Sequence, residues 1–130
     1  MANVLIVEDD ADAAGTLADA LGLIGHDTSL AFDGEQGLQR MKERPPDLVL
    51  LDVEMPKLSG PEVAIRMLVH DAGLETIPVV LLSGTPALRQ IAAQLRTPYL
   101  LAKPYHLEAL FALVERALHE RALVAHLAVH

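Results

Sequence analysis

Residues 48–52 read Leu48-Val49-Leu50-Leu51-Asp52, an unbroken apolar run that stops at a carboxylate. Further runs of the same kind stand along the chain: Val4 to Val7 ends in Glu8-Asp9, Val79 to Leu82 in Ser83, and Tyr99 to Ala102 in Lys103. A strand with one solvated face alternates apolar and polar residues, so runs without alternation belong to a parallel sheet covered on both faces. In open sheets of that kind, ligands bind in the crevice beyond the carboxyl ends of the strands. The polar residues that end these runs would meet there as a carboxylate nucleophile, a cation site, a hydroxyl and an ammonium. Those are the groups needed to place a phosphoryl group on an aspartate.

Outward from these runs the chain alternates strand and helix. Strands are read at Asn3 to Val7, Thr28 to Phe32, Asp47 to Leu51, Ile77 to Leu82 and Tyr99 to Ala102. Each precedes a segment with helical apolar spacing: Leu17, Leu21 and Ile24; Leu38 and Met41; Val63, Met67 and Leu68; Leu88, Ile91 and Leu95; and Leu107, Leu110, Phe111, Val114 and Leu118. Five such units predict an α/β, doubly wound, five-stranded parallel sheet of flavodoxin-like type with strand order 2-1-3-4-5. The second strand carries Thr28 and Ser29, which suits an edge. Asp12 and Asp33 are read as N-caps, Pro61 and Pro86 as first-turn residues, and Gly25 as a C-terminal cap.

A chain of 130 residues buries the core of one domain and argues against a second. Apolar residues make up 52% and aromatic residues 3%, which predicts an aliphatic core rather than an aromatic binding surface. A formal charge of -8, from 18 acidic against 10 basic residues, argues against direct nucleic-acid binding and against attraction to anionic membranes. There is no cysteine, so disulfide and thiolate chemistry are excluded. Val4 to Val7 is too short, and too quickly followed by acids, for a signal peptide or a membrane span, so a cytoplasmic location is expected. Six histidines invite a metal reading. Only His126 and His130 share a helical face, at a chain end with no carboxylate or Cys nearby, so no metal site is expected there.

A single Asp at a strand end is ordinarily a cap or a solvated loop residue, but convergence changes that reading. Two or three carboxylates together make a hard oxygen site suited to Mg²⁺, which takes few protein ligands and keeps several waters. Lys103 would supply a second positive charge and Ser83 a hydrogen bond to a phosphoryl oxygen.

Val4-Leu5-Ile6-Val7-Glu8-Asp9-Asp10, Leu50-Leu51-Asp52-Val53-Glu54-Met55-Pro56, Leu82-Ser83-Gly84 and Ala102-Lys103-Pro104 resemble, in order and spacing, the signatures of a response-regulator receiver domain. The resemblance runs from about Asn3 to His119. It implies that Asp52 accepts phosphate from a histidine kinase or a histidine phosphotransfer protein. It further implies that Glu8 and Asp9 hold Mg²⁺ together with Asp52 and the backbone carbonyl of Glu54, and that Ser83 and Lys103 contact the phosphoryl group. The Lys103-Pro104 bond is expected cis, and Asp10 is expected to be a loop or cap residue. The implied activity is a phosphorylation switch in a two-component system or phosphorelay, acting through protein contacts with a downstream target. Enzymatic turnover is not expected beyond slow loss of its own phosphate.

Some residues depart from the family's usual pattern. Ser83 stands where Thr is commoner, Ser59 replaces a frequent acid before Gly60, and His106 stands where an Asp often caps the last helix. Leu100 occupies the position of an aromatic ring that swings inward in many relatives; Tyr99, one residue earlier, is expected on the opposite face. Glu54 and Thr85 match positions that tune phosphate lifetime. The receiver unit is read as residues 1–121, with 122–130 as an extension of the last helix or a tail. Ordinary docking or fraying of that terminus is the plain reading; a homodimer contact or a linker is the functional one. Two rival readings stand beside it: a pseudo-receiver that binds partners without phosphorylation, and an aspartyl phosphatase of the haloacid-dehalogenase type. The phosphatase reading requires two Asp residues one apart on the first strand, where this chain has Glu8-Asp9-Asp10.

Overall fold

Five parallel strands form one sheet in the order β2-β1-β3-β4-β5. The structure is a computed structural model, and it describes residues 2–52, 77–94 and 97–129. In chain order these are β1 (Asn3–Val7), α1 (Ala11–Leu23), β2 (Asp27–Ala31), α2 (Gly34–Glu43), β3 (Leu48–Asp52), β4 (Val79–Ser83), α3 (Leu88–Gln94), β5 (Leu100–Ala102) and α4 (Leu107–Val129). The sheet order is the one that the polarity of Thr28 and Ser29 anticipates, with β2 at an edge. The helix read over Val63, Met67 and Leu68, and the turn at Pro61, lie outside the described residues.

The unbroken apolar runs are explained by two cores. Alternate residues Leu5, Val7, Val49, Leu51 and Leu81 face one side and pack with Met41 of α2 and Leu88 and Ala92 of α3. Val4, Ile6, Leu48, Leu50, Val80 and Leu82 face the other and pack against Leu17 and Leu21 of α1 and Leu110 and Val114 of α4. Both faces of β1 and β3 are therefore covered, and neither has a side on which polar residues would be tolerated.

Helix starts correct two readings of the sequence. The N-cap of α1 is Asp10, not Asp12: the Asp10 carboxylate accepts the backbone N–H groups of Asp12 and Ala13. Its backbone is extended (φ −85°, ψ 112°), as a capping residue requires, whereas Asp12 sits inside the first turn, where its charge favours the helix N-terminus. Asp33 caps α2 as expected, accepting the Gln36 N–H at 2.8 Å. Gly25, at φ 91°, follows the last residues of α1 in the left-handed conformation that favours glycine. Pro86 falls in the turn ahead of α3 rather than in its first turn; there the Leu88 N–H donates to the Thr85 carbonyl.

The last helix continues unbroken past Arg121 to Val129. Its middle is tied to the sheet side of the fold through Arg116, Glu120 and Arg121. The Tyr99 hydroxyl donates to Glu120 at 3.0 Å, with the Arg116 guanidinium 5.4 Å above the Tyr99 ring. Arg121 donates to the Asp47 carbonyl at 2.7 Å, and Asp47 in turn accepts the Asn3 N–H.

Candidate functional site

Backbone register brings the polar strand ends together. Val7 pairs with Leu51 and Asp52 with Leu82, so Glu8, Asp52 and Ser83 emerge side by side. Ser83 accepts the Lys103 N–H through its carbonyl at 2.9 Å, which places Lys103 at the same edge. The crevice foreseen from the sequence is thus assembled by β1, β3, β4 and β5.

Carboxylate oxygens of Glu8, Asp9 and Asp52 all lie within 4.8 Å of one another. Glu8 and Asp52 are buried at 6% and 5% exposure, while Asp9 is open to solvent. Among the described residues no N–H or O–H of another residue donates to the buried Glu8 Oε2. Burial pushes the Glu8 pKa from 4.5 up to about 8, followed by a hydrogen bond shared with Asp52 and by the Asp52 negative charge. A buried, unsatisfied carboxylate oxygen next to two further carboxylates calls for positive charge, and hard oxygen donors fit Mg²⁺. The donor set therefore suits the expected cation; Glu54, expected to add a backbone carbonyl, lies outside the described residues.

Lys103 Nζ stands 3.3 Å from Asp52 Oδ2. Burial alone would lower its pKa, but the Asp52 and Glu8 carboxylates outweigh that and hold it above its ordinary value. The Lys103-Pro104 bond is cis. Ser83 is fully buried, and its hydroxyl accepts the Thr85 N–H at 3.0 Å, fixing the turn that follows β4. Asp10 is a cap, as described above. Leu100 packs against the α2 and α3 side of the sheet, and Tyr99 against the α1 and α4 side, as strand alternation requires.

Sequence reasoning missed a cavity of about 290 Å³ that opens beside Glu8, Asp52 and Lys103. Ala13 and Leu17 of α1, Tyr105 and Leu107 help to enclose it. No motif marks these positions, because the space exists only through the docking of α1 and α4 on one sheet face. Among the described residues no helix is long and apolar enough to cross a membrane.

Comparison with known proteins agrees with this arrangement. A profile of the response regulator receiver domain matches residues 4–115. The chain is 35% identical to the transcriptional regulatory protein PrrA of Mycobacterium leprae over 94% of this chain and 52% of that one. It is 37% identical to a probable chemotaxis protein CheY of Rhizobium etli, covering 86% and 88% respectively. The chain thus spans about half the length of PrrA. Among solved structures, chemotaxis protein CheY4 of Vibrio cholerae superposes with a TM-score of 0.80 at 26% identity, over 90% of this chain and 98% of that one. A response regulator of Chloroflexus aurantiacus gives 0.85 at 28%, over 91% and 98%. With its motifs, sheet order and strand-end carboxylates in agreement, the chain belongs to the response regulator receiver domain family.

Proposed function

We propose that this receiver takes a phosphoryl group on Asp52 from the phosphohistidine of a histidine kinase or histidine phosphotransfer protein, in a Mg²⁺-dependent reaction. The observation that carries this reading is the convergence of Asp52 with Glu8, Asp9 and Lys103 at one crevice. Transfer forms a bond between phosphorus and an Asp52 oxygen and breaks the one to the histidine nitrogen. Lys103, already 3.3 Å from Asp52, holds a positive charge where phosphoryl oxygens gather. Ser83 supplies a hydroxyl from the neighbouring strand end. Glu8, Asp9, Asp52 and the carbonyl of Glu54 would hold Mg²⁺, whose charge offsets that of the carboxylates and the incoming phosphoryl group.

Phosphorylation then biases two arrangements of the segment after Ser83, α3 and β5, and so alters contacts with a downstream protein. Leu100 lacks the ring that would report this change by rotation. The unit doing this work is residues 1–121, in the cytoplasm, with 122–130 as an extension or tail, and it turns over no external substrate.

Intact mass after incubation with acetyl phosphate and Mg²⁺ tests the reading. One phosphoryl group gained by the wild type, absent without Mg²⁺ and absent in Asp52→Asn, is the expected result. No gain from several donors by the folded protein would overturn it and favour a pseudo-receiver whose unmodified surface binds partners.

A further inference from the structure

The net charge is confined to one part of the chain. Eight acidic residues and no Lys or Arg precede Arg40, while in the rest of the sequence ten acidic residues stand against ten basic ones. The formal charge of -8 therefore belongs to β1, α1, β2 and the start of α2. Asp10 caps α1 and Asp12 lies in its first turn; Asp33 caps α2 and Glu35 lies in its first turn. Both helices begin just past the carboxyl ends of β1 and β2, so these carboxylates flank the crevice on one side, with Asp9 beside them. Asp9, Asp12, Asp19, Asp27 and Glu35 are exposed, and among the described residues none of them forms an ion pair. Helix dipoles account for acids at the two helix starts. They do not account for Asp19 or Asp27, nor for the absence of any Lys or Arg before Arg40.

We propose that this acidic side selects the phosphodonor by charge, disfavouring small, highly anionic donors and favouring a phosphoryl group presented by a less anionic or a cationic carrier. The inference rests on Asp52 being the acceptor. With Mg²⁺ bound, the ion and Lys103 would balance Glu8, Asp9 and Asp52, so the field that a donor meets is that of the other acids on this side. At about 10 mM ionic strength screening sets in only over about 30 Å, the scale of a small domain, and all of them act on a donor at Asp52. At about 0.15 M it sets in over about 8 Å, and few of them do. The repulsion scales with the charge on the donor, so a dianion is held off twice as strongly as a monoanion. Asp12, Asp19 and Glu35 are then specificity-determining residues that stand outside the acceptor and its cation site.

The test compares two phosphodonors on the whole chain at one fixed Mg²⁺ concentration, with transfer followed by intact mass. Acetyl phosphate is a dianion near neutral pH; the bond from phosphorus to its acetate oxygen breaks as the bond to Asp52 forms, and acetate leaves. Phosphoramidate carries less net negative charge; its phosphorus–nitrogen bond breaks instead, and ammonia leaves. The ratio of the two rates cancels any change in Mg²⁺ occupancy. In the wild type the ratio of the acetyl phosphate rate to the phosphoramidate rate should rise about threefold from about 10 mM to about 0.3 M KCl. In the triple variant Asp12→Asn, Asp19→Asn, Glu35→Gln it should start about twofold above the wild type at low salt and meet it at high salt. A ratio that does not rise with salt, or a folded variant that matches the wild type at low salt, would overturn the proposal and leave Asp52 as acceptor. Transfer from neither donor would remove the reading on which it rests, and the proposal with it. The wild-type salt series decides the matter if the variant does not fold.

Discussion

Replacing Glu8 with Gln should make the Mg²⁺-free protein more stable, and only at neutral and alkaline pH. The Glu8 pKa rises from 4.5 to about 8, chiefly by burial and then through Asp52. Between those values the folded protein keeps a proton that the unfolded chain has lost. The folded state therefore binds more protons, and stability falls as pH rises through this window. It is fully present below pH 4.5 and levels off above about pH 8. At about 1.4 kcal/mol for each pH unit, the loss between pH 5 and pH 8 approaches about 3 kcal/mol, and water at the mouth of the crevice reduces it to about 2 kcal/mol. Gln keeps the shape and has no proton to lose, so this part of the pH dependence disappears. Urea unfolding in EDTA at pH 5, 6.5 and 8 measures it. The two proteins should be close at pH 5, with the variant about 2 kcal/mol more stable at pH 8. Mg²⁺ at a hundred times its dissociation constant should stabilise the wild type by about 2.7 kcal/mol, and the variant less at the same concentration. Parallel pH profiles for the two proteins would refute the reasoning, because they would mean that Glu8 ionises alike in the folded and unfolded states.

Further consequences follow from local geometry. Gly15, on α1, has nothing within 4 Å of an added Cβ, so Gly15→Ala should stabilise the fold by about 0.5–1 kcal/mol in chemical denaturation. Gly37, on α2, would place that Cβ 3.1 Å from a methyl group of the fully buried Val7, so Gly37→Ala should lower stability by about 1 kcal/mol despite its better helix propensity. Asp10→Ala removes the acceptor that caps α1 and should cost about 1 kcal/mol by the same measurement, with Asp12→Ala costing less.

Much of the molecule was legible because strand burial and site chemistry are both written in short, local runs. Four apolar runs that ignore the two-residue alternation require a sheet covered on both faces, and the polar residue after each marks a carboxyl end. That was enough to anticipate five parallel strands, an edge position for β2, and a meeting of Glu8, Asp9, Asp52, Ser83 and Lys103. Asp10 was harder to place. Three consecutive acidic residues and Asp12 all offer capping oxygens, and only the backbone angles at Asp10 decide which one turns back onto the helix.

What only the tertiary structure decided comes from distances between elements remote in sequence. The Glu8 pKa depends on burial under the assembled crevice and on Asp52, which is 44 residues away in the chain. The cavity depends on α1, β3, β4 and the start of α4 leaving a gap that no single segment encodes. Alternation along the run Tyr99 to Ala102 sets the face of Tyr99, just ahead of β5, but its hydroxyl bond to Glu120 requires α4 to pass at the right height. The sequence by itself determined which residues are apolar enough to pair and which chemistry stands at their ends. Packing decided how far each charge is from water and from the others, and that sets the electrostatics of the site.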